Sequence, residues 1–279
     1  MAMDRYVVAG NPVEHSQSPF IHAEFARQTG QVMEYGRLLW PLEGFEASLR
    51  ALVASGAKGC NVTVPFKFEA ARIASRLSAR AALAQAANVL SFDAEGWRGD
   101  NTDGVGLVRD IEHNAGVPMR GQRVLLVGAG GAAAGVLGPL LQARPAEVVV
   151  ANRTAEKALG LVDRHRSVAA TALLRASTLT DCGEGFDVVV NATASSLNGS
   201  AIPVADRVLR PGALALDMMY GPAARGFLDW AARLGATGRD GLGMLVEQAG
   251  AAFELWRGVR PDTAPVLVAL RERMAKAAQ

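Results

Sequence analysis

The segment RVLLVGAGGAAAGVLGPLLQA, residues 123–143, constrains the fold of this chain more than any other. Its first part, 124–127, is apolar at every position, as expected for a parallel strand covered on both faces. Gly128, Gly130 and Gly131 follow at once, before a helical stretch. Such glycines let a pyrophosphate approach the backbone, and the helix directs its first N–H groups towards it. Strand, turn, helix and second strand occur in the order of a dinucleotide-binding unit, which favours nucleotide binding over a merely tight turn.

The end of the second strand indicates which dinucleotide would bind. The stretch VVVANRTAEKA (148–158) places Asn152, Arg153, Thr154 and Lys157 after that strand. An NAD-binding unit typically has an acid there to hold the ribose 2′-hydroxyl, whereas a guanidinium grips a 2′-phosphate through two hydrogen bonds. The sequence therefore predicts NADP, with a solvated loop arginine as the alternative interpretation of Arg153.

Alternating strands and helices predict an α/β fold with two domains. The first would have a mostly parallel sheet, with strands at 5–10, 33–40, 57–64 and 87–92 and helices near 19–29, 43–55 and 67–82. The second would be a Rossmann-type domain whose strands lie at 123–128, 147–151, 186–191, 213–217 and 235–239. The glycine-rich stretch RGDNTDGVG (98–106) is interpreted as a turn between them.

Two helices, at about 244–257 and 262–277, end the chain. Because no strand is left to pair with them, we expect them to pack back on the first domain. The predicted boundaries are 1–103 plus 240–279 for the first domain, and 104–239 for the second, NADP-binding domain.

Composition and charge exclude several classes of protein. A net charge of +2, with no basic run interleaved with aromatic residues, argues against nucleic acid as a partner. Cys60 and Cys182 match no metal or redox spacing, and no metal is predicted. The uncharged stretch 124–143 is as long as a membrane span but contains several glycines and Pro139. We expect a soluble, cytoplasmic protein without a signal peptide, either a monomer or a homodimer.

Two hydroxyl side chains lie at the start of the first helix. In GNPVEHSQSP (10–19), Ser18 precedes a proline and Ser16 lies two residues earlier. Two hydroxyls in front of a helix N-terminus would bind a small carboxylate. For Ser18 taken alone, a plain N-cap is the alternative interpretation.

The stretch NVTVPFK (61–67) begins as a strand and presents a lysine where the strand stops. We expect Val62 and Val64 to lie in the core and Pro65 to end the strand at a cleft. The strand would then hold Lys67 in a fixed position just beyond it, and a solvated surface lysine is the alternative.

Nine motifs together resemble the shikimate dehydrogenase family over nearly the whole chain. In chain order they are GNPVEHSQSP, NVTVPFK, AANVLSF, GDNTDG, VGAGGAA, NRT, NAT, DMMYGP and DGLGMLVEQA. The resemblance implies reversible, NADP-linked reduction of 3-dehydroshikimate to shikimate, a step in the biosynthesis of chorismate and the aromatic amino acids. It also implies that Lys67 and Asp103 are the catalytic pair, with Lys67 ammonium as proton donor and, in reverse, as base.

The resemblance further implies the binding residues. Those for the substrate are Ser16, Ser18, Thr63, Lys67, Asn88, Asp103, Tyr220 and Gln248. Those for NADP are Gly128, Ala129, Gly130, Gly131 and Ala132 at the pyrophosphate, Asn152, Arg153, Thr154 and Lys157 at the 2′-phosphate, and Thr193, Met218 and Gly241 at the nicotinamide.

Three positions depart from the pattern of the family: Ala79 replaces a frequent acid, Val89 a threonine and Ala23 an asparagine. These departures leave open a related enzyme that oxidises quinate or another cyclohexane hydroxy acid. A non-catalytic NADP-binding sensor is a second alternative. Ser18 and Arg153 favour shikimate and NADP, and Lys67 with Asp103 argues against the sensor.

Overall fold

The computed structural model describes residues 3–193 and 203–277, and the chain divides into two compact units. Unit 1 consists of Met1–Gly106 and Leu245–Gln279, and unit 2 of Leu107–Met244. Each unit contains a six-stranded sheet.

The elements are numbered in chain order. The strands are β1 Asp4–Gly10, β2 Met33–Leu39, β3 Gly59–Val62, β4 Arg76–Leu77, β5 Val89–Asp93, β6 Gly96–Asp100, β7 Arg123–Val127, β8 Glu147–Ala151, β9 Leu173–Ser177, β10 Phe186–Asn191, β11 Leu209–Asp217 and β12 Thr237–Arg239. The α-helices are α1 Ser18–Thr29, α2 Phe45–Ala54, α3 Lys67–Ile73, α4 Ala79–Ala84, α5 Asp103–Arg109, α6 Gly131–Gln142, α7 Ala155–His165, α8 Arg225–Arg233, α9 Leu242–Arg257 and α10 Ala264–Ala277. A π-helical turn lies at Asp110–Asn114, and short 3₁₀ helices lie at Arg166–Val168, Asp206–Val208 and Gly221–Ala224.

The sheet of unit 1 has the order β2-β1-β3-β5-β6-β4. β1 is parallel to both neighbours, while β5 runs antiparallel to β3 and to β6. α10 packs against α1, so the C-terminal part of the chain lies on unit 1 as predicted. The predicted α/β class, with a mostly parallel first sheet, is confirmed.

The sheet of unit 2 is parallel throughout, in the order β12-β11-β10-β7-β8-β9. This is the doubly wound order in which a nucleotide binds at the carboxyl ends of the central strands. The Rossmann-type prediction is therefore confirmed. The edge strand β9 was not predicted, because its sequence LLRAS has neither a β-branched run nor clear alternation.

The structure corrects two predicted elements of unit 1. The helix predicted at 67–82 is interrupted: Ser75 N–H donates to the Trp97 carbonyl at 2.8 Å, and the Ser78 hydroxyl caps α4 by accepting from Ala81 N–H at 3.2 Å. The stretch 98–106, predicted as a turn, is instead the end of β6 and the start of α5. Gly99 fits the strand because a Cβ there would lie 2.7 Å from the Leu77 side chain.

Two kinds of feature are absent from residues 3–193 and 203–277. No helix there is long and apolar enough to cross a membrane. No group of three or more His, Cys, Asp or Glu residues there is placed to hold a metal ion.

His22 lies inside unit 1 on α1 and is fully buried. Its ring stacks on Tyr35 with centroids 4.1 Å apart and planes within 7°. Neither ring nitrogen has a hydrogen-bond partner among the described residues. Burial lowers the pKa of His22 to about 3, so the imidazole is neutral at physiological pH.

His22 is expected to make the protein less stable in acid. Its pKa is about 6.5 in the unfolded chain and lower in the folded one, so below pH 6.5 the unfolded state binds the extra proton. The contribution of the neutral His22 ring to the free energy of unfolding is fully present above pH 6.5. It falls by roughly 1.4 kcal/mol per pH unit towards pH 3, which makes a loss of about 2 kcal/mol at pH 5. Urea unfolding at pH 7.5 and pH 5 should show that His22→Phe loses about 2 kcal/mol less than the wild type on this change.

The matched control is His15→Gln, which replaces an exposed histidine of the same unit. Between pH 7.5 and pH 5, this variant should lose as much free energy of unfolding as the wild type. An equal loss in His22→Phe would contradict the assignment.

Candidate active site

The two serines contact each other at the start of α1. Ser16 Oγ donates to Ser18 Oγ at 3.2 Å, and Ser18 N–H donates to Ser16 Oγ at 3.3 Å. The N-cap is Gln17, so Ser18 is the first helical residue and its hydroxyl does not cap the helix. Ser18 is 4% exposed, while Ser16 is partly exposed. The pair thus presents two polar groups together at a helix N-terminus.

The turn before Lys67 is anchored differently from the prediction. Val62 is buried as expected, but Val64 is 54% exposed. Phe66 supplies the second anchor, because it is buried and stacks on Phe45 with centroids 5.2 Å apart. Its N–H donates to the Thr63 carbonyl at 3.0 Å and closes the turn. Lys67 is therefore the first residue of α3, held by a core aromatic next to it.

Lys67 and Asp103 form an ion pair, with Nζ 2.6 Å from Oδ2. The Lys67 side chain is 14% exposed and that of Asp103 is 7% exposed. The second carboxylate oxygen of Asp103, Oδ1, accepts from Asn88 Nδ2 at 2.8 Å. The backbone N–H of Asp103 donates to Asn101 Oδ1 at 3.1 Å. An ammonium held this closely, and still reached by solvent, can exchange a proton with an oxygen placed against it.

The amide of Asn88 lies at the centre of this cluster. Besides Asp103, Asn88 Nδ2 contacts Thr102 Oγ1 at 3.1 Å and Gln248 Oε1 at 3.2 Å. Asn88 Oδ1 accepts from Thr102 N–H at 2.8 Å. Gln248 reaches the cluster from α9, and its own Nε2 donates to the Leu245 carbonyl. The structure thus brings together Lys67, Asn88, Asp103 and Gln248 from four separate parts of the chain.

Sequence reasoning missed Thr102 and Asn61. Thr102 is fully buried within the quoted GDNTDG motif, and Asn61 begins the quoted NVTVPFK motif. Asn61 Nδ2 donates to the Asn88 carbonyl at 3.1 Å. A buried polar residue inside a strand was the available signal for Asn61, because such a side chain needs a partner.

Two further predicted substrate residues lie in different units. Thr63 is partly exposed in unit 1, between β3 and α3. Tyr220 is partly buried in unit 2, directly before the helix Gly221–Ala224.

The turn between β7 and α6 has the shape that a pyrophosphate requires. Gly128 has φ +115°, and a Cβ there would lie 3.2 Å from the Ala192 backbone. Gly130 is exposed, and a Cβ on it would meet no protein atom within 4 Å. Protein packing therefore does not require glycine at position 130, and the open space there leaves room for a phosphate to approach the backbone. Ala129, just before α6, and Gly131 and Ala132, in its first turn, are partly exposed. The first N–H groups of a helix have no partner within the helix.

The residues after β8 suit a 2′-phosphate better than a 2′-hydroxyl. Asn152, not an acid, directly follows the strand, and its Nδ2 donates to the Thr154 carbonyl at 2.9 Å. Arg153, Thr154 and Lys157 are exposed. Within the part of the chain that the structure describes, Arg153 and Lys157 are in no ion pair, so both cations are available to a phosphate.

The three residues predicted at the nicotinamide share one region of unit 2. Thr193 Oγ1 donates to Asn191 Oδ1 at 2.7 Å, and Met218 N–H donates to the Asn191 carbonyl at 3.0 Å. A Cβ on Gly241 would lie 2.3 Å from the Met218 carbonyl oxygen, so only glycine fits there. Asn191 thus connects the ends of β10 and β11, as a site at the carboxyl edge of the sheet requires.

Comparison with known proteins identifies the family. Three family models match: the shikimate dehydrogenase substrate binding domain at 8–90, shikimate / quinate 5-dehydrogenase at 111–200 and the shikimate 5′-dehydrogenase C-terminal domain at 241–271. The shikimate dehydrogenase (NADP(+)) of Methylibium petroleiphilum is 64% identical over 97% of this chain and 95% of its own length.

Solved structures agree with that comparison. An Ael1 enzyme from Pseudomonas putida is 47% identical, with a TM-score of 0.87 over 96% of this chain and 98% of its own. The shikimate 5-dehydrogenase of Thermus thermophilus, in complex with NADP(H) and shikimate, is 31% identical, with a TM-score of 0.86 over 97% of this chain and 99% of its own. The chain therefore belongs to the shikimate dehydrogenase family.

Proposed function

We propose that this chain catalyses the reversible reduction of 3-dehydroshikimate to shikimate with NADPH. The observation that carries the proposal is the Lys67–Asp103 ion pair at 2.6 Å, set among the buried amides of Asn88 and Gln248. A proton donor fixed beside groups that bind hydroxyls suits the reduction of a ketone on a hydroxylated ring. The high identity to the Methylibium enzyme over nearly the full chain supports the same activity.

In this mechanism the residues of unit 1 bind the substrate and move one proton. NADPH supplies the hydride to the ketone carbon when bound. The Lys67 ammonium donates a proton to the oxygen that becomes the alcohol, and in the oxidative direction the neutral amine takes that proton back. Asp103 holds the ammonium in place and keeps its charge compensated.

The other predicted residues orient the two reactants. Ser16 and Ser18 bind the carboxylate, with Tyr220 on the same side of the substrate. Thr63, Asn88 and Gln248 bind the ring hydroxyls. In this proposal the substrate domain is 1–103 plus 240–279 and the NADP domain is 104–239.

On the cofactor side, the 128–132 turn holds the pyrophosphate, because it leads into the N-terminus of α6 and has no side chain at Gly130. The residues at 152–157 bind the 2′-phosphate, with Arg153 as the principal cation. Thr193, Met218 and Gly241 border the nicotinamide.

Arg153→Ser is expected to raise KM for NADP⁺ by about 10- to 100-fold, since a charge-assisted hydrogen bond is worth about 1.5–3 kcal/mol. KM for NAD⁺, which lacks the 2′-phosphate, should not rise. Steady-state kinetics with both cofactors at saturating shikimate measures this. Arg164→Ser, at an exposed arginine on α7, is the matched control and should keep both KM values. Equal changes with the two cofactors would show that Arg153 does not bind the phosphate.

Quinate is a second candidate substrate, because one matching family model covers both shikimate and quinate dehydrogenases. One assay separates the possibilities: formation of reduced cofactor from shikimate or quinate, each with NADP⁺ and NAD⁺. We expect kcat/KM to be highest for shikimate with NADP⁺. A higher value for quinate would move the assignment to that substrate. Activity with neither acid would overturn the proposed function.

A further inference from the structure

Two side chains on one face of β2 contact the serine loop and its surroundings. Tyr35 and Arg37 are two residues apart on this strand and therefore point to the same side. Arg37 donates from Nε and Nη2 to the Ser16 carbonyl, at 2.9 and 2.6 Å. β2 thus fixes the backbone of the loop that carries Ser16 and Ser18.

The hydroxyl of Tyr35 is bonded to the strand that leads into the Lys67 turn. It donates to Asn61 Oδ1 at 2.6 Å. The amide of Asn61, which is buried, donates in turn to the Asn88 carbonyl at 3.1 Å. That carbonyl also accepts from Val62 N–H at 2.8 Å, so Asn61 reinforces the pairing that places Asn88.

The Tyr35 ring and its hydroxyl are held in place by their surroundings. Burial raises the pKa of the Tyr35 hydroxyl well above its usual range, so the phenol keeps the proton that it donates to Asn61. Stacking on His22, at 4.1 Å, limits rotation of the ring.

We propose that Tyr35 is a positioning residue: its bond to Asn61 holds the hydroxyl-binding Asn88 at a fixed spacing from the serine loop, which Arg37 fixes from the same face of β2. The inference rests on the proposed function and extends it to a residue behind the site. A cyclohexene acid is rigid, so its carboxylate and hydroxyls reach their partners together only when that spacing is held. Loss of the link weakens substrate binding and leaves the proton transfer at Lys67 intact.

Tyr35→Phe tests the inference because it removes only the hydroxyl. KM for shikimate should rise about 5- to 10-fold, as expected for one buried hydrogen bond, whereas kcat stays within about threefold and KM for NADP⁺ is unchanged. General destabilisation would not separate the two KM values in this way. A wild-type KM for shikimate in the folded variant would overturn the inference.

Tyr6→Phe is the matched control. Tyr6 lies on the neighbouring strand β1, stacks on Trp256 and accepts from Arg257 at 3.4 Å, outside the chain of bonds to Asn61. Its KM for shikimate should equal that of the wild type. An equal rise in Tyr6→Phe would assign the effect to the aromatic cluster and overturn the inference.

Two further variants keep the test decisive. Asn61→Ala removes the amide that both bonds use and should reproduce the rise in KM, even if Tyr35→Phe folds poorly. In a double-mutant cycle, the effects of Tyr35→Phe and Asn61→Ala should be less than multiplicative, because the hydroxyl acts through that amide. Independent effects would overturn the link through Asn61. If the wild type oxidised neither shikimate nor quinate, the proposed function would be wrong. If the wild type were active on shikimate and the variants kept its KM for shikimate, only the role of Tyr35 would be wrong.

Discussion

Lys67→Ala is expected to lower kcat for shikimate oxidation by about 10²- to 10⁴-fold, the usual contribution of a positioned acid or base, while KM for shikimate changes only a few-fold. The reason is that Lys67 Nζ, 2.6 Å from Asp103, is the group that exchanges the proton in this mechanism. Steady-state kinetics with shikimate and NADP⁺ measures both constants. Thermal unfolding of the variant separates lost chemistry from lost fold.

Lys58→Ala is the matched control, since Lys58 is an exposed lysine of the same unit that precedes β3 as Lys67 follows it. Its kcat should equal that of the wild type. If Lys67→Ala kept most of the wild-type kcat, the proton would have to move through another group, and Lys67 would be only a binding residue.

The nucleotide-binding half of the fold was predictable from local sequence. An apolar strand, a glycine turn and a helix are each specified by neighbouring residues, and their order identifies the parallel sheet. The edge strand β9 was not predictable in this way, because it is a strand by virtue of pairing with β8 rather than through its own residues.

The candidate site was only partly predictable, because its contacts join distant parts of the chain. Individual side chains such as Lys67 and Ser16 lie beside helix starts and strand ends, which leave a local signal. Tyr35 and Asn61 are hydrogen-bonded to each other across 26 residues, so the polar residue within β3 signals that Asn61 needs a partner but not that Tyr35 is that partner. Val64 was placed in the core from its residue type, but Phe66, two residues later, is the side chain that fills the core there.

Asp100 and Asp103 lie three residues apart in one motif and have different partners. Asp100 accepts from Arg80 at 2.6 and 3.0 Å and from the Ser78 hydroxyl at 2.6 Å. Burial raises the pKa of Asp100, but the bonds from Arg80 and Ser78 outweigh it and hold the pKa below its usual value. Asp100 therefore stabilises the α4–β6 region, whereas Asp103 is ion-paired with Lys67.

Asp103→Asn is expected to lower kcat by about 10- to 100-fold, because an amide has one acceptor oxygen where the carboxylate serves both Lys67 and Asn88. Asp100→Asn is the contrasting variant: it should reduce the free energy of unfolding by roughly 1–3 kcal/mol and leave kcat within about twofold. Steady-state kinetics and urea unfolding on both proteins make the comparison. A larger loss of kcat in Asp100→Asn than in Asp103→Asn would mean that both aspartates affect activity by stabilising the structure. Asp103 would then have no separate role beside Lys67.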